Sequence, residues 1–346
     1  MHIGSGKTGT SSIQLFLHRN RARLAQLGLL YPEAPGRIRH SRLGLFIQPD
    51  EQLDKRPSWR RERFSSPAEF REIFQERLFR EINESGLPRV LFSDEALYGS
   101  PDSALVRLHQ FMDGFTDSLK LVVYLRRQDD HLVSRYQQVV KVGETRRLAQ
   151  RTREMDFSKT YGYHPRLRKI RQLLQPTELV VRRFERDSFS DGSLYQDFLD
   201  AAGIDARADT MAQVQPVNES LDVDAVEFLR ILNIFRAENG TTDLPKENRP
   251  LVHRLAKASE GPTLTLPGPV LDDFMSKWEE SNRRVAVELL GEEDGVLFRT
   301  PRKTSNTTCD QVLDPARLDH YLELLGLPEQ THAPLRSLAE REAAVR

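Results

Sequence analysis

An α/β chain built on a doubly wound parallel sheet is the architecture this sequence predicts, and three observations carry it. Short apolar runs alternate with stretches of helical periodicity through the N-terminal part, the pattern of a parallel sheet with right-handed crossovers. A loop rich in glycine and hydroxyls, Gly4 to Gly9, stands between a strand stump and a helix. Leu119 to Leu125 is nearly all apolar, as expected of a strand covered on both faces.

In order along the chain, His2-Ile3 is the strand stump. Only Met1 to Ile3 precede the loop, so the first strand is expected to be truncated or to begin upstream of Met1. Ile13, Phe16, Leu17, Leu24 and Leu27 recur at helical spacing, and Gly28 and Pro32 end that helix. Residues 33–66 are rich in Pro, Gly and Arg and read as an irregular excursion. Phe70, Phe74, Leu78 and Ile82 mark an amphipathic helix. Val90-Leu91-Phe92 is a short buried strand, and Leu105, Leu108 and Met112 mark the next helix. After Leu119 to Leu125 come a helix over Leu132 to Val142, another over Leu167 to Leu174, and a strand at Leu179 to Val181.

Beyond Gly203 the strand signals fade. Leu221 to Phe235, Arg249 to Ala258, Val270 to Leu290 and Ala316 to Leu325 read as helices. The expectation is one domain over 1–330, with an α/β core over about 1–205 and a helical part over about 206–330, and a frayed tail over 331–346.

Composition narrows the function. Lys+Arg 51 balances Asp+Glu 51, so no global field favours nucleic acid or an anionic membrane, and any anion site is local. The single Cys309 cannot form an internal disulfide and fits a reducing compartment. No stretch has the roughly 20 apolar residues of a membrane helix, and no signal peptide precedes the first glycines. A cytoplasmic protein without a membrane span is expected. No Cys/His spacing suggests a zinc site.

Gly4-Ser5-Gly6-Lys7-Thr8-Gly9-Thr10-Ser11-Ser12 holds the elements of a phosphate cradle. Glycines let successive N–H groups converge on one anion. The helix N-terminus adds partial positive charge, Lys7 a full charge, and Thr8, Thr10, Ser11 and Ser12 hydroxyl donors. A nucleotide-triphosphate loop needs a glycine five residues before Gly6, where Met1 stands.

The order Lys7 to Ser11 instead resembles the 5′-phosphosulfate loop of the sulfotransferases that use 3′-phosphoadenosine-5′-phosphosulfate (PAPS). Leu121-Val122-Val123-Tyr124-Leu125-Arg126-Arg127-Gln128-Asp129-Asp130-His131-Leu132-Val133-Ser134 resembles the same family's second motif. There an arginine at a strand end and a serine on the next helix clamp the 3′-phosphate. Arg126 and Ser134 stand at that spacing, and Asp130 falls on the family's aspartate. Arg127 and Gln128 replace the usual Asn-Pro. Guanidinium suits a phosphate because it donates two parallel hydrogen bonds. The chain is similar to the bacterial branch of that superfamily over 1–32 and 118–142. It is diffusely so at Arg183-Phe184-Glu185-Arg186, Val217-Asn218-Glu219-Ser220-Leu221 and Ser281-Asn282.

The resemblance implies a P-loop-like sulfotransferase fold, PAPS as donor, 3′,5′-bisphosphoadenosine (PAP) as product, and no required metal. It implies donor binding by Gly6, Lys7, Thr8, Gly9, Thr10, Ser11, Arg126 and Ser134. Lys7 is the candidate for stabilising the leaving phosphate oxygen. An acceptor hydroxyl on a small molecule or glycan also needs a base. Glu95 follows the strand Val90 to Phe92 and emerges at the sheet's carboxyl edge; His40, in the irregular excursion, is the other candidate. His131 reads as structural or solvent-facing, and the run Arg146, Arg147, Arg151 and Arg153 as a solvated helix face. Two other classes stay open. A P-loop kinase or NTPase needs an acidic strand end for Mg²⁺, which Asp94 would supply. A non-catalytic nucleotide-binding protein would keep the loop without the base.

Overall fold

The computed structural model describes residues 1–53, 55–56, 58–214 and 220–344. It is an α/β protein with parallel strand pairing. The chain divides into two compact units, each made of three segments rather than divided by one cut near residue 205. The first comprises Met1–Arg127, Phe157–Pro216 and Trp278–Thr300; the second comprises Gln128–Asp156, Val217–Lys277 and Pro301–Arg346.

Among the described residues the first unit holds five strands: β1 (His2–Gly4), β2 (Leu29–Leu30), β3 (Arg89–Val90), β4 (Lys120–Leu125) and β5 (Glu178–Arg183). β1 pairs with β4, β4 with β5, and β2 with β3, all parallel. The chain continuing from β3 reaches β1: His2 N–H donates to the Phe92 carbonyl at 2.7 Å, and Asp94 N–H to the His2 carbonyl at 3.1 Å. The spatial succession is therefore β2–β3–β1–β4–β5. β1 is three residues long.

β4 lies inside the sheet, between β1 and β5, because it can be buried on both faces: Leu121 to Leu125 are buried without a break. On one side Ile13, Phe16 and Leu17 of the first helix pack with Val122, Tyr124, Phe198 and Leu199 in one core. The first helical run is two helices, Thr10–Arg19 and Arg21–Gln26. Asn20 parts them, turning its side-chain amide to the Phe16 and Ala212 carbonyls. The helix Pro67–Ser85 starts where Ser66 accepts from Glu69 N–H at 3.1 Å with Pro67 behind it, and ends at left-handed Gly86. The excursion over 33–66 is more ordered than its composition implies. It forms helices Ser41–Phe46 and Asp50–Leu53, anchored by buried Leu43, Leu45, Phe46 and Leu53.

The second unit is mainly helical, with one short parallel pair, β6 (Thr263–Leu264) and β7 (Thr307–Thr308). Its helix Val223–Glu238 is buried almost all round and carries Arg230, which is 2% exposed. Arg230 meets Glu227 twice, at 2.8 and 2.6 Å, and Glu342 at 2.8 Å. Glu342 belongs to the segment expected to fray. That segment is instead helix His332–Ala344, with Leu335 and Leu338 buried. Two apolar side chains and one buried ion pair hold what its Ala-rich, charged composition conceals. The span Val270 to Leu290 is likewise two helices, Gly268–Ser276 and Glu279–Leu290. Among the described residues no helix is long and apolar enough to cross a membrane.

Candidate functional site

The loop Ser5 to Gly9 leaves β1 at the carboxyl edge of the strands. Gly6, Lys7 and Gly9 are all left-handed, at φ 78, 52 and 72. For Lys7 that conformation costs about 1 kcal/mol or more. Gly9 is also sterically obligatory: an added Cβ would lie 2.5 Å from Leu194 and 2.8 Å from Phe184. The helix Thr10–Arg19 begins at Gly9 with no side-chain cap and no acidic residue in its first turn, so its positive end faces the loop.

The hydroxyls expected to act together are separated. Thr8 and Thr10 are buried and hydrogen-bonded to each other at 3.3 Å. They fill the space beside Gly4, where an added Cβ would lie 2.6 Å from Thr10 Oγ1. Lys7 and Ser11 are exposed.

Arg126 ends β4 beside this loop. Its guanidinium donates to the Lys7 carbonyl at 3.0 Å and lies over the Phe184 ring, 5.7 Å from its centroid. Ser134 stands on the helix Gln128–Lys141, which belongs to the second unit. His131, on the same helix, is buried.

Glu95 lies one residue past Asp94, beyond the His2–Ser93 bridge that joins the β3 extension to β1. Both its oxygens are engaged. Arg39 Nη1 meets Oε1 at 2.8 Å, and Gln14 Nε2 donates to Oε2 at 3.1 Å. Gln14 sits on the helix that the loop initiates, so loop and carboxylate share one support. Arg39 also donates through Nε to Asp94 Oδ1 at 2.8 Å. Asp94 is fully buried, and that burial, partly offset by Arg39, pushes its carboxyl up to about 6. A spare lone pair remains on each Glu95 oxygen, and its side chain is 26% exposed.

His40 is not placed to act as the base. It is 0% exposed, tilted against Tyr31 and edge-on to Phe92. Its Nδ1 lone pair accepts from Ser93 N–H at 3.1 Å. Burial, reinforced by Arg21, pushes its imidazole down to about 3. His2 is its counterpart, Nδ1 against Ser93 Oγ at 2.8 Å and likewise pushed to about 3 by burial.

The basic run is not a solvated face. Within the second unit Arg151 is buried, Arg146 and Arg151 share Glu144, and Arg147 approaches Glu227. Val217, Asn218 and Glu219 lie outside the described residues. Among the described residues no group of three or more His, Cys, Asp or Glu is gathered as for a metal ion. Sequence reasoning passed over Gln14, Arg39 and Tyr163. Gln14 is one turn past Thr10 on the helix that follows the loop, a signal that was available; Arg39 and Tyr163 carry none.

No protein-family model matches the chain, and no solved structure matches it. Over 116 residues it is 32% identical to an uncharacterized protein of Archaeoglobus fulgidus, a stretch covering 34% of this chain and 30% of that protein. The chain thus spans less than a third of the length of the relative it matches.

Proposed function

We propose that this chain is a sulfotransferase that moves a sulfuryl group from PAPS to a hydroxyl acceptor. The observation that carries the reading is the shared carboxyl edge of β1 and its neighbours. There the Lys7 loop, the uncapped helix start and Arg126 lie on one side, and Glu95 is tied to the same helix through Gln14. The succession β2–β3–β1–β4–β5 supports a doubly wound, P-loop-like sheet, in which ligands bind at that edge.

In this reading the loop amides and Lys7 hold the 5′-phosphosulfate, and Arg126 the 3′-phosphate. The acceptor oxygen attacks sulfur in line with the bridging oxygen. As the new S–O bond forms, the bond from sulfur to the bridging oxygen breaks, and its electron pair stays on the phosphate of PAP. Lys7 stabilises that oxygen, and Glu95 takes the acceptor's proton. The kinase reading is less well supported, because Asp94 is buried and its Oδ1 is occupied by Arg39 and by Ala96 N–H.

Calorimetric titration with PAP, ADP and ATP-Mg²⁺ tests the donor. PAP is expected to bind at least about tenfold tighter than ADP. Arg126→Ala removes a charge-assisted contact of roughly 1.5–3 kcal/mol and lowers PAP affinity about tenfold or more. Equal affinity for PAP and ADP in the unmutated protein overturns the assignment.

A further inference from the structure

Tyr163 opens the helix Tyr163–Leu174 and is fully buried. Its hydroxyl donates to the Arg126 carbonyl at 2.6 Å. Phe298 meets its ring edge-on, 6.4 Å between centroids. Tyr163 thereby anchors the strand-end residue whose guanidinium reaches back to the loop.

The contacts run in series. The Arg126 carbonyl accepts from Tyr163, and the Arg126 guanidinium donates to the Lys7 carbonyl. Lys7 is held in a left-handed conformation at the end of this series. Such a conformation persists only where the surroundings over-determine it. Arg126 is steadied as well by the Phe184 face. A phenol hydroxyl suits the anchor because it donates to one carbonyl from a stiff ring.

We infer that Tyr163 is a positioning residue that locks the Ser5–Gly9 loop and the Arg126 guanidinium into one preassembled anion receptor. The choice of PAP as the anion rests on the sulfotransferase reading; the locking itself does not. Preassembly matters because an anion binding a loose loop loses affinity to the ordering of that loop.

Tyr163→Phe keeps the ring and removes the hydroxyl. Hydrogen–deuterium exchange on the ligand-free protein reads the lock directly. Amides of the loop are expected to exchange about threefold or more faster in the variant, while β4 and β5 keep their rates. A purely space-filling Tyr163 would leave the loop unchanged or loosen the whole sheet. Arg126→Ala cuts the next link and is expected to loosen the same amides; unchanged rates there overturn the lock even if Tyr163→Phe does not fold. In PAP titrations Tyr163→Phe is expected to cost about tenfold alone and less than about threefold on an Arg126→Ala background, the non-additivity of a shared unit. Unchanged loop exchange in folded variants, or equal losses in both backgrounds, overturns the proposal. If the unmutated protein binds no PAP, the sulfotransferase reading falls while the exchange comparison still decides the role of Tyr163.

Discussion

In the proposed reaction Lys7 and Glu95 divide the work at the level of single side chains, and their removal separates the roles. Lys7→Ala is expected to cut PAP release from PAPS about 10²-fold or more, with a smaller effect on PAP binding because the Arg126 contact remains. Glu95→Gln keeps size and hydrogen bonding but removes the base. It is expected to lower turnover about 10²-fold while PAP affinity stays within about twofold. Full activity in Glu95→Gln with any working acceptor would remove the residue from the chemistry. The buried groups behind Glu95 make a second prediction. His2 and His40 have folded values near 3 against about 6.5 unfolded, so below about pH 6.5 the unfolded chain holds more protons and stability falls on acidification. Asp94 opposes them: raised to about 6, it contributes stability below about pH 4 that is lost as pH rises through 6. Between about pH 4 and 6 the two imidazoles outweigh the one carboxyl by a single proton. Urea unfolding is expected to show roughly 3 kcal/mol less stability at about pH 4.5 than at about pH 7. A flat profile would mean that the imidazoles titrate normally in the fold.

Elements differ in how plainly they announced themselves. The strand Lys120–Leu125 and the helix Pro67–Ser85 were legible because an unbroken apolar run and an i+4 apolar stripe are local signals. The excursion over 33–66 was not, because its short helices are stabilised by distant partners. Arg71 donates to the Phe46 and Gln48 carbonyls, and Arg107 to Gln48 again. The loop was legible as a glycine-dependent turn from strand to helix, yet its residue order did not tell which hydroxyls turn inward. Glycine placement offers a test at this scale. Gly9→Ala meets both a left-handed backbone and the Leu194 and Phe184 side chains, so a loss of about 2–4 kcal/mol is expected. Gly86→Ala, at φ 61 with nothing within 4 Å, is expected to cost only about 1–2 kcal/mol. Equal costs in chemical denaturation would show that packing against the loop is not what demands Gly9.

Across the whole molecule, the sequence showed where strands stop but not which segments belong together. The helix Gln128–Lys141 follows β4 directly, yet it is counted with Val217–Lys277, and Trp278–Thr300 returns to the first unit. Contact order is a property of tertiary packing, and no local periodicity encodes it. The C-terminal helix is the sharpest instance, since its anchor Arg230 is more than a hundred residues upstream. Arg230→Met would leave Glu227, 1% exposed, without its principal cation. A loss of about 3–5 kcal/mol is expected in urea unfolding of the full chain, and a loss under about 1 kcal/mol would make the buried pair expendable.

Ser93 gives a different kind of consequence. Its carbonyl accepts from His40 N–H and Gln14, its N–H donates to His40, and its hydroxyl meets His2. Three positions far apart in sequence are thereby fitted to one residue, largely to its main chain, which no substitution can alter. Drift at 2, 14 and 40 is therefore not independent: a change tolerated at one is conditioned by the other two. A saturation library would find these positions intolerant as a block, although His2 and His40 are sealed from solvent. Read without the structure, such a pattern would pass for a catalytic triad.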